Sequence, residues 1–194
     1  LAQKIAEARS TEWRTVYDEK HAVRVLSVDE AEKVLSAKSP RIIPTRFVYV
    51  IKKDDDGNEI VKARWVMLGF KDPDAIKLAS AGARASPTVS QNARTLLLQL
   101  LASYKWRMQI GDIKGAFMES DPLDREDGPL YAQLPKEGVD GLPGGSLVEV
   151  VLPMYGLVDA VIRWYRKFDT TARSLGSEQS KLDPCLYFLR NPNK

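Results

Sequence analysis

Cysteine and histidine are almost missing from the chain: Cys185 and His21 are each the sole residue of their kind. One cysteine cannot close an internal disulfide, and there is no Cys/His cluster that could hold zinc. A Ser-His or Cys-His catalyst would have to use His21, which lies in a polar stretch and reads as a surface residue. A reducing compartment suits so few thiols. Long apolar runs are lacking too. The longest, 95–102 and 147–152, fall far short of the roughly 20 residues a membrane-crossing helix needs, so no membrane partner is expected. The chain starts at Leu1 rather than Met, without a signal-peptide pattern. That start, and an end in Asn-Pro-Asn-Lys194 straight after an apolar stretch, fit a piece of a longer protein.

What is present is ordinary for a packed domain: 44% hydrophobic and 28% charged residues in 194. The net charge of +3 is unevenly spread. Residues 118–140 are acidic, whereas 41–77 and the segment holding Arg163, Arg166, Lys167 and Arg173 are basic. Such clusters are either solvated faces or contacts for nucleic acid.

Periodicity and punctuation divide the chain. Residues 3–19 read as a helix, and Ser27-Val-Asp-Glu30 is a capping box opening a second, to about Ala37. Phe47–Ile51 and Ile60–Leu68 flank the turn Asp54-Asp-Asp-Gly-Asn58 and predict a β-hairpin. Residues 70–87 read as a loop, and Ser90 as the N-cap of a helix to about Tyr104. Arg107–Ile113 reads as a short buried strand ending at Asp112, followed by one or two helical turns over 114–119. Two further strands are expected at 130–134 and 147–152. A helix over 159–175 closes at Gly176, and a strand begins at Leu186. The order is that of an α+β fold.

Asp112 carries the chemical argument. It stands between an apolar stretch and the small residues of Gly111-Asp-Ile-Lys-Gly-Ala-Phe117. A carboxylate there either caps a helix or binds a metal, since burying it unpaired is costly. Nucleotidyl transfer needs two Mg²⁺ ions about 4 Å apart, more than one carboxylate can hold.

An ordered series of motifs resembles a copia-type retrotransposon reverse transcriptase. Lys62-Ala-Arg-Trp-Val-Met-Leu-Gly-Phe70 is similar to that family's Lys-Ala-Arg-Leu-Val-Ala-Arg-Gly-Phe, and Ser86-Pro87 to its Ser-Pro-Val. Trp106 and Asp112-Ile-Lys-Gly-Ala-Phe117 match Trp and Asp-Val-Lys-Thr-Ala-Phe at the same spacing. Tyr131-Ala-Gln-Leu-Pro135, Tyr155-Gly-Leu-Val-Asp-Ala160 with Trp164-Tyr165, and Asp183-Pro-Cys-Leu-Tyr-Phe188 follow in order. Each is weak alone; the series is specific.

The resemblance implies a right-hand polymerase: residues 1–40 as a helical lead-in and 41–194 as fingers and partial palm, stopping before the Tyr-x-Asp-Asp strand. The parent activity it implies is RNA-directed DNA synthesis with Mg²⁺ (or Mn²⁺) in a complete active site. Implied partners are RNA template, DNA primer, dNTP and the rest of a Pol polyprotein (remaining palm, thumb and RNase H). The implied location is intracellular, in a cytoplasmic particle or the nucleus. Asp112 and the Ile113 carbonyl would bind metal. Lys62, Arg64, Phe117, Tyr155 and Gly156 would meet the nucleotide, with Phe117 excluding a ribose 2′-hydroxyl. Arg163, Arg166 and Lys167 would meet backbone phosphates. From the residues alone, Lys62 and Arg64 equally suit a solvated hairpin edge, Phe117 a packed core, and the α-helical cations a polar face.

Departures accompany the resemblance. Val158-Asp159 stands where the family has Lys-Gln, Val161-Ile162 where it has Pro-Arg, Glu119-Ser120 where it has Asn-Gly, and Gly111 where it has Met. Replacing a cation and gaining an acid near the nucleotide is expected to weaken phosphate or template contact. No Tyr-x-Asp-Asp occurs in the sequence, so the chain is expected to be inactive alone. The alternatives are a non-catalytic nucleic-acid-binding remnant and a decayed relic.

Overall fold

A computed structural model describes residues 1–54 and 56–189. Helix α1 (Ala2–Arg14) runs into a wider π turn, Thr15–Glu19, and then the short strand β1 (Val23–Val25). The capping box forms as the sequence predicts. Ser27 Oγ accepts from the Glu30 N–H, Glu30 accepts from the Ser27 N–H, and α2 (Val28–Ser36) follows. That backbone N–H, with Arg24 beside it, holds the Glu30 carboxyl down to about 2.

The predicted hairpin is β2 (Ile42–Lys53) against β3 (Glu59–Met67), in register from Thr45 opposite Met67 to Lys53 opposite Glu59. With β4 (Leu130–Gln133) and β5 (Leu147–Val150) it builds a five-stranded sheet ordered β1-β5-β4-β2-β3. All its pairs are antiparallel except β2 with β4. The fold is therefore mixed α+β.

Period-two alternation along β3 sends Ala63, Trp65 and Met67 into the core and leaves Lys62 and Arg64 exposed. Trp65, fully buried, donates from Nε1 to Thr45 Oγ1 at 2.8 Å and meets Trp13 of α1 edge to face at 5.6 Å. Burying an indole requires such a partner for its N–H. β3 ends the sheet, and an open sheet edge invites unwanted pairing. Here α1 covers it: Glu12 accepts the Trp65 N–H at 3.0 Å, and Lys4 donates to the Glu59 carbonyl at 2.7 Å.

The segment read as a loop, 70–87, contains a 3₁₀ turn (Gly69–Lys71) and a two-turn helix, α3 (Ala75–Ser80). After it come α4 (Gln91–Tyr104), capped by Ser90 as expected, α5 (Ala160–Ser174) and a separate hairpin of β6 (Ser177–Gln179) and β7 (Tyr187–Leu189).

One strand is missing from where the sequence put it. Residues 107–113 form no strand and are exposed, Ile110 at 86%. β-branched and apolar residues favour a strand only where a neighbour supplies the other half of the ladder. Among the described residues, β2–β5 are paired with one another and none lies beside 107–113. α4 shares this lack: none of its residues is buried, and Leu96, Leu97, Leu98 and Tyr104 are exposed.

Candidate nucleotide cleft

Gly156 sets the geometry. It has φ +92°, which an L side chain rarely adopts, and a Cβ there would lie 2.0 Å from the Met67 carbonyl oxygen. A Cβ on Gly69 would lie equally close, 2.0 Å, to the Gly156 oxygen. Two backbones thus touch where only glycine fits, and the Met67 N–H donates to the Tyr155 carbonyl at 2.8 Å. The turn after β5 is thereby fastened to the end of β3, and Tyr155 is brought beside Arg64.

The side chains then assemble. The Arg64 guanidinium carbon lies 5.4 Å from the centre of the Tyr155 ring, a cation–π distance. Phe117, on a 3₁₀ turn (Ala116–Glu119), meets the same ring edge to face at 5.3 Å. Asp112 is exposed and close enough for its charge to raise the Tyr155 phenol, behind burial and Glu12, with Arg64 opposing. Asp112 caps no helix: the 3₁₀ turn starts from Gly115 and has no side-chain cap.

A cleft of about 620 Å³ opens between α1, β3 and residues 114–118, within the usual range for small-molecule sites. Lys62, Lys114 and Tyr155 line it; so do Glu7, Glu12 and Glu59. Two ion pairs tie the 114–119 turn to the end of the π turn that follows α1, Lys114 with Glu19 at 3.6 Å and Lys20 with Glu119. Sequence reasoning passed over Lys114 and Glu12. Lys114 sits two residues after the singled-out aspartate; nothing local marked Glu12, which acts across 53 positions.

The helical cations fare differently. Arg163 bonds Asp159 and the Asp124 carbonyl, and Lys167 bonds Asp121, whereas Arg166 is exposed. Asp159, read from the sequence as an acid gained near the nucleotide, is 2% exposed and held by Arg125 at 3.0 Å as well as by Arg163. Arg125 also reaches Asp72 at 3.2 Å, and Arg41 clamps Asp74 through two bonds of 3.1 and 2.8 Å. Burial pushes the Asp72 carboxyl up, while the Arg41 guanidinium pulls Asp74 down.

No group of three His, Cys, Asp or Glu side chains able to hold a metal ion occurs among the described residues. Asp112 and the Ile113 carbonyl offer too few oxygens for a Mg²⁺ shell, so these residues do not by themselves fit a two-ion centre.

Comparison with known proteins matches the chain to a family and to a curated relative. The family described as reverse transcriptase (RNA-dependent DNA polymerase) matches residues 31–193. A retrovirus-related Pol polyprotein from transposon TNT 1-94 of Nicotiana tabacum is 32% identical over 155 residues. The match covers 79% of this chain and 11% of that protein, so the chain spans about a tenth of its length. No solved structure matches.

Proposed function

Because the chain belongs to the reverse transcriptase (RNA-dependent DNA polymerase) family, we propose that the cleft between α1, β3 and residues 114–118, together with Arg64 and Phe117 beside its Tyr155 wall, receives the incoming dNTP during RNA-directed DNA synthesis. The observation behind this reading is the contact of Arg64, Tyr155 and Phe117, three residues distant in sequence that the motif series assigned to one nucleotide.

In this reading Arg64 and Lys62 hold the triphosphate through charge-assisted hydrogen bonds. Tyr155, stiffened by Gly156 against β3, gives the base pair a flat support. Phe117 stands against Tyr155 and crowds the sugar's 2′ position. Asp112 is the first of the carboxylates that would carry Mg²⁺, with the Ile113 carbonyl beside it. The metal would supply charge neutralisation at the transferring phosphate. The exposed 107–113 segment and α4 form the partial palm. The rest of a Pol polyprotein would complete it, alongside RNA template and DNA primer.

Arg166 alone of the three helical cations faces solvent unpaired, so a nucleic-acid-binding surface on α5 has less support than the cleft.

Titration with dTTP tests the reading. The chain is expected to bind dTTP, Arg64→Ala to weaken binding at least tenfold, and primer extension with Mg²⁺ to be absent. Binding indifferent to Arg64→Ala would contradict the nucleotide cleft, and robust synthesis by the 194 residues would contradict the incomplete metal centre.

A further inference from the structure

We propose that Glu12 is an anionic gate on the cleft: its carboxylate lines the pocket together with Lys62 and Lys114 and must be displaced or out-competed by the phosphates of an entering nucleotide. The inference rests on the nucleotide reading above.

Glu12 reaches the cleft from α1, the element that covers the free edge of β3. Its Oε1 takes the N–H of Trp65, the chain neighbour of Arg64, at 3.0 Å, which fixes the carboxylate where the Arg64 charge acts on it. Arg64 and Lys114 both act on it electrostatically; Lys114 lines the pocket, and Arg64 lies against Tyr155, which also lines it. The carboxylate is half-buried, and burial raises its pKa despite the backbone bond and the two cations. A fixed negative charge acting on Arg64, which holds the proposed phosphates, and on Lys114 lowers the attraction available to any other anion. At 6–8 Å and an effective dielectric between those of protein surface and water, one such charge repels one phosphate charge by about 1 kcal/mol, or roughly fivefold in affinity. A ligand carrying several charges feels more.

Removing the charge while keeping the acceptor separates this role from a structural one. In Glu12→Gln the amide oxygen can still accept the Trp65 N–H; in Glu12→Asp the charge remains and the reach shortens. Affinity for dTTP and for inorganic tripolyphosphate is measured on the full chain and both variants at low salt. Glu12→Gln is expected to bind both probes about tenfold more tightly, and Glu12→Asp to stay within about twofold of the parent. The gain should shrink as salt rises. Equal tripolyphosphate affinity in the parent and Glu12→Gln would overturn the gate, as would no binding of either probe by either protein. If dTTP binding still depends on Arg64 while Glu12→Gln changes nothing, the gate fails and the nucleotide cleft stands. If Glu12→Gln tightens tripolyphosphate but dTTP binds no better than tripolyphosphate and ignores Arg64→Ala, the gate stands and the nucleotide assignment falls.

Discussion

Glu12, when its carboxylate is ionised, costs the fold stability, and in the proposed gate it costs anion binding as well. Its carboxyl is pushed above the ordinary value of 4.5, first by burial. The folded chain thus holds this proton more tightly than the unfolded chain does. The resulting stabilisation is fully present below the unfolded value and is lost as pH rises through the folded one. Glu12→Gln, which stays neutral, should melt higher than the parent at pH 7.5, and the gap should close by pH 4. Thermal melts across that range check both points. The glycines give a second prediction. Gly156→Ala forces a Cβ to 2.0 Å from a carbonyl at φ +92°, whereas Gly57, at φ +84°, has open space around it. Gly57→Ala should cost about 1–2 kcal/mol from backbone conformation alone, and Gly156→Ala clearly more, because the Met67–Tyr155 contact must also open. Urea unfolding of the two variants distinguishes them.

Among the elements, those with local causes were legible in the sequence. The capping box before α2, the serine cap of α4, the turn-flanked hairpin of β2 and β3, and the amphipathic α5 depend on neighbours within a few residues. Elements with distant causes were not. β1 is three residues long and exists because β5 pairs with it. α3 hid inside an apparent loop because Asp72 and Asp74 read as turn residues; in the fold they are buried partners of Arg125 and Arg41. Conversely, 107–113 has strand-forming residues but no neighbouring strand among the described residues. Its amides should therefore exchange with solvent far faster than those of β3, and trypsin should cut early after Arg107. The ion cluster behind α3 also makes a prediction. Asp159→Ala leaves buried guanidinium charge without its partner and should cost about 3–5 kcal/mol. Asp121→Ala, which removes an exposed partner of Lys167, should cost under about 1 kcal/mol. Chemical denaturation of each variant reads the difference.

At the scale of the molecule, the side chains named by the motif order were easier to read from the sequence than the arrangement around them. The motif order named Arg64, Phe117, Tyr155 and Asp112, and the fold brings the first three into contact with the fourth nearby. What sequence could not supply was α1 lying along the edge of β3, which makes a cleft out of a hairpin face and brings a carboxylate into it. Nor could it show that Asp159, an acid in place of the family's Gln, turns inward to Arg125 and Arg163. Hydrogen exchange with and without dTTP tests the cleft most directly. Slowed exchange confined to residues 61–65, 112–118 and the Tyr155 turn is the predicted result. No change there, or protection gathered on α5 instead, would contradict the assignment.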